Sequence, residues 1–208
     1  MGRSFHSPEG MGIYMSLILR PGGQPNELMH LTCAAAEAAC NAVESSTGIR
    51  PGIKWINDLV WNKRKLGGIL TELVLSPKGK LDSAIVGIGI NCLQRDTDFP
   101  EDIRSVACSL AMAEGADPAP AKLAAAMVVA LYTMSEQLFT GKQQMLEHYR
   151  QDCVTIGQDI MLLRGDQRLY ARAIDIDDDG ALVIRYPEGN CDTVNSGEVS
   201  IRGMYGYV

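Results

Sequence analysis

A chain of 208 residues is long enough for one ordinary core plus a small second domain, and its 46% apolar and 21% charged residues exclude a disordered, collagen-like or coiled-coil protein. A formal net charge of −6 argues against a general nucleic-acid binder, because such affinity comes from clustered Lys and Arg. Six scattered cysteines form no Cys-x-x-Cys pair and no signal peptide is recognisable, so reduced thiols in the cytoplasm are expected. His6, His30 and His148 are spaced too widely for a zinc site, and the apolar stretch 123–134 is too short to span a bilayer.

Residues 1–12, rich in Gly, Ser and Pro, read as loop. Ile13, Met15, Leu17 and Leu19 then alternate with Tyr14, Ser16 and Ile18, a strand period with large side chains on both sides, which predicts burial on both faces. From Asn26 onward Met29, Cys33, Ala36, Cys40 and Val43 recur at steps of four and three, the stripe of an alanine-rich helix that Gly48 stops. Short strands are expected at 53–55 and 59–61, and longer ones at 65–75 and 81–90. Further helices follow at 121–139 and 142–150. Beyond Cys153, strands at 158–163, 168–176, 181–186 and 191–202, punctuated by glycines, predict a small barrel. Asp175, Asp177, Asp179 and Gly180 match half of a calcium loop, but Tyr186 stands where its last ligand is required, so an acidic β-turn is expected.

Three stretches stand out from ordinary core. Lys54-Trp55-Ile56-Asn57-Asp58 ends a strand in an amide and a carboxylate, where sheet ligands commonly bind, although Asn and Asp also favour plain turns. Lys63-Arg64-Lys65-Leu66-Gly67-Gly68-Ile69-Leu70-Thr71-Glu72 joins positive charge to two glycines at a strand start. That suits either an anion site or a solvated hairpin with a glycine bulge. Gly87-Ile88-Gly89-Ile90-Asn91 leaves one face of a strand nearly bare, so a flat ring could lie on it with the Asn91 amide at its edge.

Taken in this order, the stretches resemble the biotin protein ligase family. Gly2-Arg3-Ser4-Phe5-His6-Ser7-Pro8 is similar to the end of its Gly-Arg biotin loop, and Lys54 to Asp58 to its Lys-Trp-Pro-Asn-Asp motif, with Ile56 in place of proline. Lys65 to Glu72 is similar to Lys-x-x-Gly-Ile-Leu-x-Glu, Gly87 to Asn91 to Gly-x-Gly-x-Asn, and Ser196 to Arg202 to the C-terminal Gly-Glu-Val-Ser-x-Arg.

The resemblance implies an α+β fold: a class II synthetase-like catalytic domain over residues 1–153, with mixed β-sheet and helices, and an SH3-like β-barrel over 154–208. It implies ATP-dependent formation of biotinyl-5′-adenylate, with Mg2+ accompanying ATP, and transfer of biotin to a lysine of the biotin carboxyl carrier domain of acetyl-CoA carboxylase or another biotin-dependent carboxylase. Lys65 and Asp58 would be catalytic. Arg3, Phe5, Lys65, Gly67, Gly68, Leu70, Gly87 and Gly89 would contact biotin, and Asn57, Lys65 and Asn91 the ATP. No nucleic-acid or membrane partner is implied, while homodimerisation is left open. The family's upstream Ser-Thr-Asn motif and earlier arginines would precede Met1, so the chain as written is expected to be a poor ligase. A non-catalytic remnant that binds a carrier domain or partner, and a lipoate ligase relative, are the competing readings.

Overall fold

The computed structural model describes residues 6–165, 167–195 and 200–203, the last four by backbone alone. Its first sheet contains β1 (Gly12–Leu19), β2 (Gly52–Lys54), β3 (Asp58–Trp61), β4 (Arg64–Leu75) and β5 (Leu81–Asn91), in the order β1-β5-β4-β3-β2. Every ladder in it is antiparallel. Parallel pairing occurs only at the isolated bridges Ile53–Cys153 and Lys65–Ala107.

Alternation along these strands sends Ile13, Leu66, Ile69, Val86, Ile88 and Ile90 into the core. There they join the cluster built around α1 (Leu31–Thr47). Small residues let α1 lie close to its neighbours, and it is buried on nearly all sides. Gly48 ends it in a left-handed cap, φ 83°, with its N–H bonded to the Glu44 carbonyl. The helix starts later than its sequence stripe suggests. Pro25–Leu28 forms a separate 3-10 turn, and Met29 is 42% exposed, outside the stripe. α3 (Pro120–Gln137) buries Leu123, Met127, Leu131 and Met134 along one side and packs on α1, as does α4 (Lys142–Asp152).

Because the helices occupy one side of the sheet, β1 is not buried on both faces as its composition suggests. Tyr14 is 45% and Ile18 57% exposed, and the strand lies at the sheet edge. The second sheet has the order β10-β6-β7-β8-β9, again antiparallel, from β6 (Asp159–Arg164), β7 (Gln167–Ile176), β8 (Leu182–Arg185), β9 (Cys191–Val194) and β10 (Ser200–Gly203). The single strand expected at 191–202 is therefore two, lying on opposite edges. Ile160, Leu162, Ala173, Leu182, Ile184 and Val194 form its inner face.

The acidic turn between β7 and β8 joins the sheets. Asp177 Oδ1 accepts the backbone N–H groups of Asp179 and Ala181, both at 2.9 Å, which fixes the turn locally. Arg150 donates to the Ile176 carbonyl at 2.7 Å and pairs with Asp178 at 3.2 Å, and Lys142 meets Asp179 at 2.8 Å. Gly180, at φ 84°, presents its carbonyl to the Trp55 indole N–H at 2.9 Å. A Cβ there would sit 2.8 Å from Cys33 Sγ, so the close approach requires glycine. Beside it, His30 is buried and hydrogen-bonded through Nε2 to the Leu138 carbonyl, and burial holds its pKa below the ordinary 6.5.

Candidate active site

The side of the first sheet without helices is floored by glycine. Register aligns Tyr14, Gly89, Gly68 and Asp58 across four strands, and Ser16, Gly87 and Leu70 in the next row. With strands about 4.8 Å apart and alternate residues about 6.7 Å apart, the bare patch matches a small fused ring in size. A Cβ on Gly87 would meet nothing nearer than 3.7 Å, so the strand tolerates a side chain there. Leu70, 62% exposed, stands at one margin of the patch and Tyr14 at the other.

At the β3 end of the floor, Lys65 Nζ donates to Asp58 Oδ1 at 2.5 Å. The two side chains remain 30% and 18% exposed, so the pair is desolvated but reachable. A Cβ on Gly68 would lie 3.3 Å from Lys65 Nζ and 3.4 Å from Asp58 Oδ1. The glycine thus leaves room for the pair to lie over the strand. The backbone of Lys65 is clamped as well: its N–H donates to the Val106 carbonyl at 2.7 Å, and its carbonyl accepts from the Cys108 N–H at 2.8 Å.

Several expected contacts take a different form. Gly67 lies on the core side, where a Cβ would strike the Gly89 carbonyl at 2.6 Å, so that glycine serves strand packing and does not line the open face. The Asn91 amide is already engaged: it is 4% exposed, its Nδ2 donates to the Cys108 carbonyl at 2.9 Å, and its Oδ1 accepts from Gln94 Nε2 at 3.2 Å. It therefore ties the segment after β5 to the floor. Asn57 Nδ2 donates to the Ile69 carbonyl at 2.7 Å, which pins the β2–β3 turn onto β4. Arg3 and Phe5 lie outside the described residues.

Sequence reasoning missed Gln94 and Ser109. Gln94 is fully buried, and its backbone carbonyl accepts from Ser109 Oγ. No periodic signal marks these positions, since their partners lie across an irregular segment.

The nearby thiols carry no nucleophilic chemistry, because burial pushes Cys92 and Cys108 up to about 11 and keeps both protonated near neutral pH. Burial also raises the Tyr14 phenol, with the Cys92 charge adding to the shift. Among the described residues no three His, Cys, Asp or Glu side chains form a metal cluster. Any magnesium would therefore arrive on phosphate oxygens. No helix among the described residues is long and apolar enough to cross a membrane.

Comparison with known proteins gives consistent matches. Residues 1–91 match the Biotin/lipoate A/B protein ligase family, and residues 155–202 match the Biotin protein ligase C terminal domain. A Bacillus subtilis protein, "Bifunctional ligase/repressor BirA", is 34% identical over 193 residues, covering 91% of this chain and 58% of the relative. The Mycobacterium tuberculosis "Biotin--[acetyl-CoA-carboxylase] ligase" is 31% identical over 173 residues, covering 81% of this chain and 61% of the relative. The chain thus spans about three-fifths of these relatives' length. Among solved structures, biotin protein ligase from Aquifex aeolicus in complex with biotin and ATP superposes with a TM-score of 0.80 at 27% identity, covering 97% of this chain and 82% of that one.

Proposed function

This chain belongs to the biotin protein ligase family, and from that premise we propose that it activates biotin with ATP and transfers it to a protein lysine. The observation that carries the reading is the Lys65–Asp58 pair lying over Gly68 at the end of the glycine floor.

Biotin's fused ring rests on Gly68, Gly87 and Gly89 beside Leu70, with its carboxylate toward Lys65. The carboxylate oxygen attacks the α-phosphorus of ATP, pyrophosphate leaves, and the Lys65 ammonium stabilises the charge that gathers on the phosphoryl oxygens. A fixed donor of this kind is worth about 3 to 4 kcal/mol at the transition state. The acceptor lysine amine then attacks the carbonyl carbon of the mixed anhydride and AMP departs. Asp58, beside Lys65, receives or orients the incoming ammonium. Asn57 and Asn91 act on the nucleotide side, Asn91 by holding the segment after β5.

Mg2+ enters with the ATP phosphates, and the acceptor is the biotin carboxyl carrier domain of acetyl-CoA carboxylase or a related carboxylase, in the cytoplasm. The catalytic unit spans 1–153 and the SH3-like unit 154–208.

Lys65→Ala is expected to lower biotin-dependent pyrophosphate release by roughly two to three orders of magnitude relative to the parent protein. Near-parental rates in a folded variant would remove Lys65 from the mechanism. Because Asp58 holds Lys65, single-turnover assays of Asp58→Asn separate its part in adenylation from its part in transfer.

A further inference from the structure

Between α1, α3 and α4 lies a cleft of about 410 Å3, lined by none of the residues on the glycine floor. Its volume is that of a small-molecule site. Ala34 and Ala130 leave it open, and Met134 and Met145 supply apolar wall.

Its polar feature is Glu37, a carboxylate set in the run Ala34-Ala35-Ala36-Glu37-Ala38-Ala39 and only 9% exposed. Glu37 Oε1 accepts from Asn41 Nδ2 at 2.7 Å, and His148 Nδ1 lies 3.4 Å away. Among the described residues no lysine or arginine is within ion-pair range of it. The nearest guanidinium network is already claimed: Arg50 pairs with Glu44 at 2.7 Å and Asp152 at 2.6 Å, and reaches Glu37 only through the Asn41 amide, whose Oδ1 it meets at 2.9 Å. Three carboxylates therefore share one guanidinium. Lys142, the cleft's lysine, is paired with Asp179. A carboxylate taken this far out of water requires a positive partner.

We propose that the cleft binds a small aliphatic amine, with its ammonium on Glu37 and its hydrocarbon body along Ala34, Ala130, Met134 and Met145. The site is separate from the ligase reading and stands without it. Binding is an ionic and apolar capture with no bond made or broken.

The test is 13C-methyl NMR of Met134 and Met145 with isothermal titration, using n-butylammonium as probe and 1-butanol as its neutral isostere. Saturable methyl shifts with n-butylammonium are expected, with butanol binding roughly tenfold or more weakly, a gap of about 1.4 kcal/mol. Glu37→Gln, which keeps the shape and removes the charge, should weaken the amine by a similar factor. Ala130→Leu fills the cleft without touching Glu37 and should abolish the shifts, so it decides the matter even if the first variant fails to fold. Absent shifts in the parent protein, equal binding of butanol, or full binding by Ala130→Leu would overturn the proposal.

Discussion

Gly87 and Gly180 occupy two kinds of unusual sequence, a glycine-alternating strand and an acidic turn, and they do opposite things. Gly87 vacates space: its missing side chain would meet nothing closer than 3.7 Å. Gly180 permits contact, because its position is both left-handed and within 2.8 Å of Cys33 Sγ for any added Cβ. The first glycine suits a ligand and is of little consequence to the fold. The second is required by the fold and touches no ligand. The difference teaches that a glycine's meaning lies in what surrounds it, and substitution should separate the two.

Gly180→Ala carries the larger expected effect. Left-handed backbone and overpacking against Cys33 together cost about 2 to 4 kcal/mol, read as a lower urea midpoint. An unchanged midpoint would mean the turn does not anchor as described. Gly87→Leu should behave in the reverse way, leaving the midpoint within about 0.5 kcal/mol while weakening biotin roughly a hundredfold or more, as a side chain occupies the floor. Calorimetric titration with biotin measures it. Normal biotin affinity in this variant would move the ligand off β5.

The glycine contrast was half legible in the sequence. Alternation along Gly87 to Asn91 gave the bare face directly, because a strand period assigns faces without knowing the neighbours. Adjacent glycines at 67 and 68 defeated the same reasoning, since consecutive residues point to opposite sides and only one can meet a ligand. Asn91 was visible as a polar strand end, but its partner Cys108 lies beyond an irregular segment of 17 residues, and only topology brings them together. The turn at 177–180 was legible as an acidic β-turn. Its role was not, because Trp55 is 125 residues away from Gly180 and Cys33 147.

The smallest effect concerns His30, beside the Gly180 contact. Its folded pKa is depressed by burial, so above pH 6.5 both folded and unfolded states are neutral there and stability is full. As pH falls below 6.5, the unfolded chain takes up the proton first, and stability declines until the lower folded value is passed. The slope should not exceed about 1.4 kcal/mol per pH unit from this group. Urea midpoints measured across that window should fall less steeply in His30→Gln than in the parent. Parallel pH profiles would show that His30 contributes nothing to acid sensitivity.

The link from Gly180 to Trp55 also bears on how the protein comes apart. Val154 donates to the Ile53 carbonyl at 2.9 Å, and the Trp55 N–H donates to Thr155 Oγ1 at 2.9 Å. The chain entering the second sheet is thus hydrogen-bonded to the strand and turn that lead to Asn57 and Asp58. Separating the sheets would strip buried polar groups of their partners on both sides at once, so a state with one sheet ordered and the other melted is disfavoured. Kinetically, that makes the Trp55 indole proton a reporter of global opening: it should exchange with solvent only as slowly as the most protected amides of α1, in a single cooperative unit spanning both sheets.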